Sequence, residues 1–190
     1  MVKEQPNEEQ QGDMVVIWDW ENTAMGMREK GYTEKDYDLS AGFYGVKQWW
    51  DSIGKVIRVF MLSPMHKIFG FDKVFQNQEF SIVLCPKITR VISAGVVEYE
   101  DTTDANIITL GEFCVNYIPS IRYLCLGSGD AHFVPLLEHV KSKGIKTAII
   151  IGNEMSLSWQ IDRFVDNHPI TGKKMVHLFS PTKERTSNSA

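Results

Sequence analysis

Residues 15–23 read VVIWDWENT, and the interpretation of this stretch decides the fold. Four consecutive apolar residues, 15–18, make a short buried strand. A carboxylate, Asp19, comes directly off its end, and a carboxamide, Asn22, follows three residues later. In open α/β folds ligands bind outside the carboxyl ends of the strands, so this spacing puts acidic and polar donors at that edge. Taken alone, the segment also has plainer readings. Asp19 can cap the following turn or accept from a backbone amide, Asn22 can be a turn residue, and Glu21 alternates away as a solvated or supporting group.

Outward from this segment, strand-like and helix-like stretches alternate. Leu39, Phe43, Val46, Trp49, Trp50 and Ile53 recur at helical spacing and predict a helix over 38–53, stopped by Gly54. Residues 55–62 (KVIRVFML) predict a strand, 66–80 a helix, and 81–84 a short strand closed by Pro86. Residues 88–100 are either extended or a hairpin around Ala94 and Gly95. A helix over 105–117, a strand over 122–126 and a helix over 133–143 stopped by Gly144 come next. A strand over 146–151 (KTAIII), a short helix over 157–165 and a last strand over 175–179 complete the pattern. Such alternation predicts βαβ units, a mostly parallel sheet and helices on both of its faces. The domain is placed at 14–180, between two polar segments, 1–13 and 181–190, that are expected to be disordered.

Bulk composition narrows the class. A chain of 190 residues with 43% hydrophobic and 23% charged content suits one soluble domain with a substantial core. A net charge of −4 rules out a global basic field, although clustered carboxylates would themselves pull the charge down. Cys85, Cys114 and Cys125 lack CxxC spacing and lie in apolar runs, as reduced structural thiols do. No secretory signal or membrane-spanning run is visible, so a soluble cytoplasmic protein with no membrane partner is expected. Nothing in the sequence fixes the oligomeric state, and a homo-oligomer is compatible with it.

Two later segments bring further carboxylates to the same edge. Asp104 opens the helix over 105–117, where it can be the N-cap; Asp101 adds negative charge near the positive helix end. Asp130 follows a strand that runs into the small-residue turn Gly127-Ser128-Gly129. Pro135 suits the first turn of a helix, which starts that helix near 132–134 and leaves Asp130 on the loop ahead of it. Ser128 and Gly129 permit close approach of a backbone or a phosphate. Three carboxylates in one cleft would repel by roughly 1 kcal/mol per pair in water at 4 Å, and by about 4 kcal/mol at an effective dielectric of 20. A cation or raised pKa values relieve that repulsion. All-oxygen ligands favour Mg2+ or Mn2+, and the matching chemistry is hydrolysis of a phosphodiester or phosphoryl group by metal-activated water.

These segments together resemble the NYN family of PIN-like ribonucleases. The likeness rests on Asp19-x-x-Asn22 after the first strand, Thr103-Asp104 opening a helix, and Ser128-Gly129-Asp130-x-x-Phe133-x-Pro135-Leu136. It continues through Gly144 and the strand 146–151 to Asp162-Arg163-Phe164, and covers roughly 14–179. The resemblance implies a Rossmann-like three-layer α/β/α PIN-like domain and divalent-metal-dependent cleavage of RNA, with single-stranded nucleic acid a candidate substrate. It implies Asp19, Asn22, Asp104 and Asp130 as the catalytic set, with Asp19, Asp104 and Asp130 holding Mg2+ or Mn2+ directly or through water. Asn22 would orient a water or phosphate, and Ser128 and His132 would contact the substrate.

Two departures from the family pattern stand out. His132 takes the place of an acidic residue two positions after Asp130, where it can ligate a metal, act as an acid–base group, or simply bond at the helix start. In the helix after Asp104 only Glu112 is available where the family often has a further acid. Asp162 is either a supporting group or a surface residue. Trp49 and Trp50 can stack on bases or pack in the core, and Lys67, Lys87, Arg58 and Arg90 can contact phosphate or be ordinary surface. Two other functions fit parts of the sequence. Asp19-Trp20-Glu21-Asn22-Thr23 nearly matches the Asp-x-Asp-x-Thr start of haloacid-dehalogenase-type phosphatases, with Asp19 as nucleophile. An inactive nuclease fold that binds RNA or protein is the third.

Overall fold

The computed structural model describes residues 12–32, 37–68, 72–93 and 96–183. Its strands are β1 (Asp13–Asp19), β2 (Tyr37–Asp38), β3 (Lys55–Pro64), β4 (Ser81–Cys85), β5 (Lys87–Ser93), β6 (Val96–Asp101), β7 (Ile121–Gly127), β8 (Lys146–Ile151), β9 (Val176–Leu178) and β10 (Thr182–Lys183). Its helices are α1 (Trp20–Glu29), α2 (Leu39–Ile53), α3 (Met65–Ile68), α4 (Asp72–Asn77), α5 (Thr103–Tyr117), α6 (Val134–Ser142) and α7 (Trp159–Asp162).

Six strands form one sheet in the order β4-β3-β1-β7-β8-β9, every neighbouring pair parallel. The chain starts in the middle of the sheet. From β1 it steps one way to β3 and β4, then returns to β7 on the other side of β1 and steps the opposite way to β8 and β9. Right-handed crossovers therefore put the early helices on one face and the later helices on the other. Trp20 of α1 packs on Phe43 of α2, and Gly111 of α5 packs on Leu136 of α6. The result is the three-layer α/β/α PIN-like architecture, with strand order reversing between β1 and β7. Ligands bind at that switch point in open sheets of this kind.

The centre of the sheet is buried on both faces, so β1, β7 and β8 read as continuous apolar runs rather than alternating ones. On the α1–α2 face the core is aromatic. Trp18, Trp20, Phe43 and Phe179 meet at centroid distances between 5.1 and 6.3 Å, mostly edge to face. Trp50, Phe75 and Phe80 extend the cluster. The Trp50 indole N–H has no oxygen acceptor among the described residues and faces the Cys125 sulfur, a weak one. Burial pushes the Cys125 thiol up to about 12, so this thiol packs and does not react. Cys85 and Cys114 are buried as well, and neither forms a disulfide.

Several expected elements differ in detail. The sequence reading passes over α1 entirely. Its buried face is Trp20, Thr23, Ala24, Gly26 and Met27, an apolar stripe of only three residues interrupted by Thr23 and Gly26. The helix expected over 66–80 is α3 and α4, with 69–71 outside the described residues. The ambiguous 88–100 stretch is the antiparallel pair β5–β6, whose expected turn at Ala94 and Gly95 also lies outside them. The short helix expected over 157–165 is reduced to α7. Thr182 and Lys183, assigned to the polar tail, pair with Asp38 and Tyr37, while 1–11 and 184–190 are not described. No helix among the described residues is long and apolar enough to cross a membrane.

Two measurements test this core. The Trp18 indole N–H donates to Thr23 Oγ1 at 2.8 Å, both side chains fully buried. Thr23→Val keeps the shape and strands that donor, so urea unfolding should lose about 1–3 kcal/mol with an unchanged m-value; no loss would mean the bond contributes nothing. The second concerns His177, which stacks on Trp49 at 5.0 Å with planes 29° apart. Burial lowers its pKa from 6.5. Protons then bind the unfolded chain preferentially, so this contribution to stability is intact above pH about 6.5 and is lost as the pH falls towards the lowered folded value. Unfolding midpoints should drop less between pH 7 and 5 in His177→Phe than in the wild type, and parallel curves would exclude this residue as the cause.

Candidate functional site

The site grows from two strand ends. In the sheet register Trp18 pairs with Gly127, so Asp19 and Ser128 are the next residues outward on adjacent strands. Asp19 is 7% exposed and is the N-cap of α1, its Oδ1 accepting from the Asn22 backbone N–H at 3.1 Å. The carboxylate is thereby fixed at a helix start, where the macrodipole favours negative charge. Asn22, in the first turn, has a buried Oδ1 with no hydrogen-bond partner among the described residues. An unpaired buried acceptor is rare in native folds and points to a group that is satisfied by something other than the chain.

The second strand end supplies the loop Ser128-Gly129-Asp130. Ser128 is fully buried and its Oγ accepts from the Asp130 backbone N–H at 3.3 Å, so it shapes the loop rather than presenting itself to a phosphate. Asp130 caps a short 3-10 turn over 131–133, with Oδ1 accepting from His132 N at 3.0 Å. The His132 imidazole folds back over this cap. Its Nδ1 lies 3.1 Å from Asp130 Oδ1 and 3.8 Å from Asp104 Oδ2, so one ring joins two carboxylates from different elements.

Asp104 sits inside the first turn of α5, not at the cap. The cap is Thr102, which makes no side-chain bond to the helix N–H groups; its hydroxyl instead donates to Pro86 O at 2.7 Å, and α5 begins two residues earlier than the sequence reading has it. Asp104 is released from capping and reaches His132. Glu112 lies two turns further along α5, about 12 Å by helix rise, and stays outside the cluster. Among the described residues no three His, Cys, Asp or Glu side chains gather closely enough to hold a metal by themselves.

The remaining candidates are placed as follows. Lys67 Nζ pairs with Glu21 Oε1 at 3.1 Å, beside the start of α1. Arg58 lines a cavity with Lys47 in the amino half of β3, at the end of the sheet away from Asp19. Lys87 is exposed at the start of β5, and the side chain of Arg90 is outside the described residues. Asp162 forms an ion pair with Lys174. Trp50 is 1% exposed and Trp49 is stacked on His177, so neither is open to a base.

Sequence reasoning missed the segment that braces the Asp130 loop. After β8 the chain makes a 3-10 turn over 154–156 capped by Asn153, whose Nδ2 donates to Glu29 Oε2 at 3.1 Å. The Ser158 backbone N–H then donates to Gly129 O at 2.9 Å. A Cβ on Gly129 would lie 2.2 Å from the Ser156 carbonyl oxygen, so only glycine lets the two loops meet. The Ser128-Gly129-Asp130 spacing hints at a close approach, but nothing local in the sequence names Ser156 as the partner.

A family profile for the NYN domain matches residues 13–170. No curated protein matches the sequence significantly. Among solved structures, a crystal structure of Acinetobacter baumannii MurG superposes with a TM-score of 0.45 at 10% identity, covering 90% of this chain. The match spans about half of that protein, 47% of its chain.

Gly129→Ala tests the contact between the two loops. The added methyl meets backbone, not a flexible side chain, so the Ser158–Gly129 bond must open. A stability loss on the order of 2 kcal/mol or more is expected in thermal or urea unfolding, and an unchanged midpoint would refute the close approach.

Proposed function

Since this chain belongs to the NYN domain family, we propose that it is a divalent-metal-dependent ribonuclease acting at the cleft between the ends of β1 and β7. The observation that carries this reading is the meeting of Asp104 and Asp130 on His132, at the switch point of the sheet where Asp19 ends the neighbouring strand.

Magnesium or manganese suits the donors. Asp19, Asp104 and Asp130 offer only oxygen, and the unpaired Asn22 Oδ1 adds a neutral one. Magnesium commonly uses one or two carboxylates and keeps several waters, so a closed three-ligand cage is not required. Bound there, the metal supplies neutralisation of phosphate charge and a more acidic attacking water. The chain supplies position. The Asn22 N–H fixes Asp19 and the His132 N–H fixes Asp130. The exposed His132 ring, anchored through Nδ1, leaves Nε2 for a phosphate oxygen or for the departing hydroxyl.

A second reading is an RNA- or protein-binding module on the same fold. It is favoured by the lack of a three-ligand group among the described residues and by His132 standing where a carboxylate would add charge. The phosphatase reading loses ground, because Glu21, its general acid, is held in an ion pair with Lys67.

Purified protein is expected to cut RNA in magnesium or manganese and to stop when the metal is chelated. Asp130→Asn retains an acceptor for the His132 N–H, so it should fold normally while losing about 100-fold or more in rate. Full activity in that variant would defeat the site assignment. RNA binding with no cleavage under any divalent metal would favour the binding module.

A further inference from the structure

Of the five tryptophans, four are consumed by packing. Trp18, Trp20 and Trp50 are 1% exposed or less, and Trp49 is stacked on His177. Trp159 is 73% exposed, and Met155 four residues before it is 88% exposed. A scattered exposed aliphatic side chain is ordinary, but a bare indole wastes the largest apolar surface any residue can bury.

Its location gives the exposure a meaning. Trp159 opens α7, one residue after Ser158, whose N–H is bonded to Gly129 O next to Asp130. Cα atoms of α7 and of the 3-10 turn 131–133 that carries His132 approach within 8 Å. The segment beneath the indole is braced. Asn153 caps the 154–156 turn, Ser156 Oγ donates to Asn153 O at 2.6 Å, and Ser158 Oγ accepts from Gln160 N at 3.2 Å. A solvent-facing indole on a braced segment thus stands beside the candidate site.

Charge argues for which ligand it meets. The nearby basic side chains are matched with acids: Lys30 with Glu154, Arg163 with Glu138 and Lys174 with Asp162. Phosphate attraction on this flank is therefore muted, and a flat apolar face is what remains to grip a nucleic acid. Stacking needs an unpaired base, which a duplex does not offer.

We propose that Trp159 is a stacking platform for a nucleobase next to the scissile phosphate, and that it selects single-stranded over duplex RNA. This rests on the ribonuclease reading, whose single-stranded substrate the family resemblance already implies, and names the residue that would enforce it. The base lies flat on the indole while the adjoining phosphate falls towards Asp130 and His132.

The test uses the full chain in chelator with a short single-stranded oligoribonucleotide and its duplex. The single strand should quench the emission of the exposed indole, and Trp159→Ala should weaken its binding roughly 5- to 150-fold. Trp159→Phe should recover much of that affinity, and the weaker duplex binding should be the same in all three proteins. Equal single-strand affinity in wild type and Trp159→Ala, or an equal loss for duplex, would overturn the proposal. Cleavage assays on the same proteins in magnesium keep the two readings separable: stacking by Trp159 in a protein that never cuts RNA would defeat only the nuclease assignment.

Discussion

The buried indole of Trp18 is the constraint on which the site depends. Its ring sits among Trp20, Phe43, Trp50 and Phe179, and its N–H is committed to Thr23. Leaving that donor unpaired in the core would cost about 1–3 kcal/mol, so the chain turns into α1 directly after β1 and brings Thr23 back beneath the ring. That turn makes Asp19 a helix cap and places Asn22 in the first turn. The same ring also dictates the neighbouring strand. A Cβ at Gly127 would lie 2.2 Å from the indole, so β7 must be bare there, and the next residues are the loop that carries Asp130. One hydrophobic side chain thereby sets both strand ends that flank the switch point.

Much of this was legible in the sequence because it is written in local, periodic signals. Buried parallel strands are continuous apolar runs, and the segment 146–151 was read with its final boundaries. Pro135 placed the start of a helix after Asp130, and α6 begins at Val134. What escaped depends on contacts far apart in sequence. The helix α1 has its apolar stripe of Trp20, Ala24 and Met27 broken by Gly26, which packs against Asn153, and by Thr23, which serves Trp18. Asp104 sits inside the first turn of α5, two positions past the cap Thr102, whose hydroxyl is held by Pro86 sixteen residues earlier. The tryptophan that faces solvent is Trp159 and not either of the adjacent pair, since Trp49 finds His177 and Trp50 finds the aromatic core. Composition cannot distinguish these fates; only the packing partner does.

The site is acidic on a chain that is already acidic, which makes the surrounding charges matter. Lys67 is spent on Glu21, and Arg58 belongs to the far end of β3, so of the described basic candidates only Lys87, opposite Asp101 in the β5–β6 pair, lies open near the carboxylates. On the ribonuclease reading, electrostatic steering towards RNA would then be weak until a cation occupied the cleft. Affinity on that reading would come largely from contacts that ignore charge, and the exposed indole of Trp159 beside the loop is of that kind. The brace formed by Asn153, Ser156 and Ser158 matters for the same reason, since a platform that moved would forfeit on ordering what it gained by stacking.

His132 embodies the opposing demands on such a cleft. A carboxylate in its place would add a third negative charge close to Asp104 and Asp130, each pair repelling by roughly 4 kcal/mol at an effective dielectric of 20. The imidazole avoids that repulsion and lies within 4 Å of both carboxylates, so one ring links Asp104 to Asp130. What it gives up is ligand charge, and with it some of the pull on a divalent metal. The cleft is therefore geometrically prepared and electrostatically modest. On the ribonuclease reading, that combination favours a metal that arrives with its waters and with the substrate phosphate as a ligand, so that RNA and metal bind each other's halves of one site.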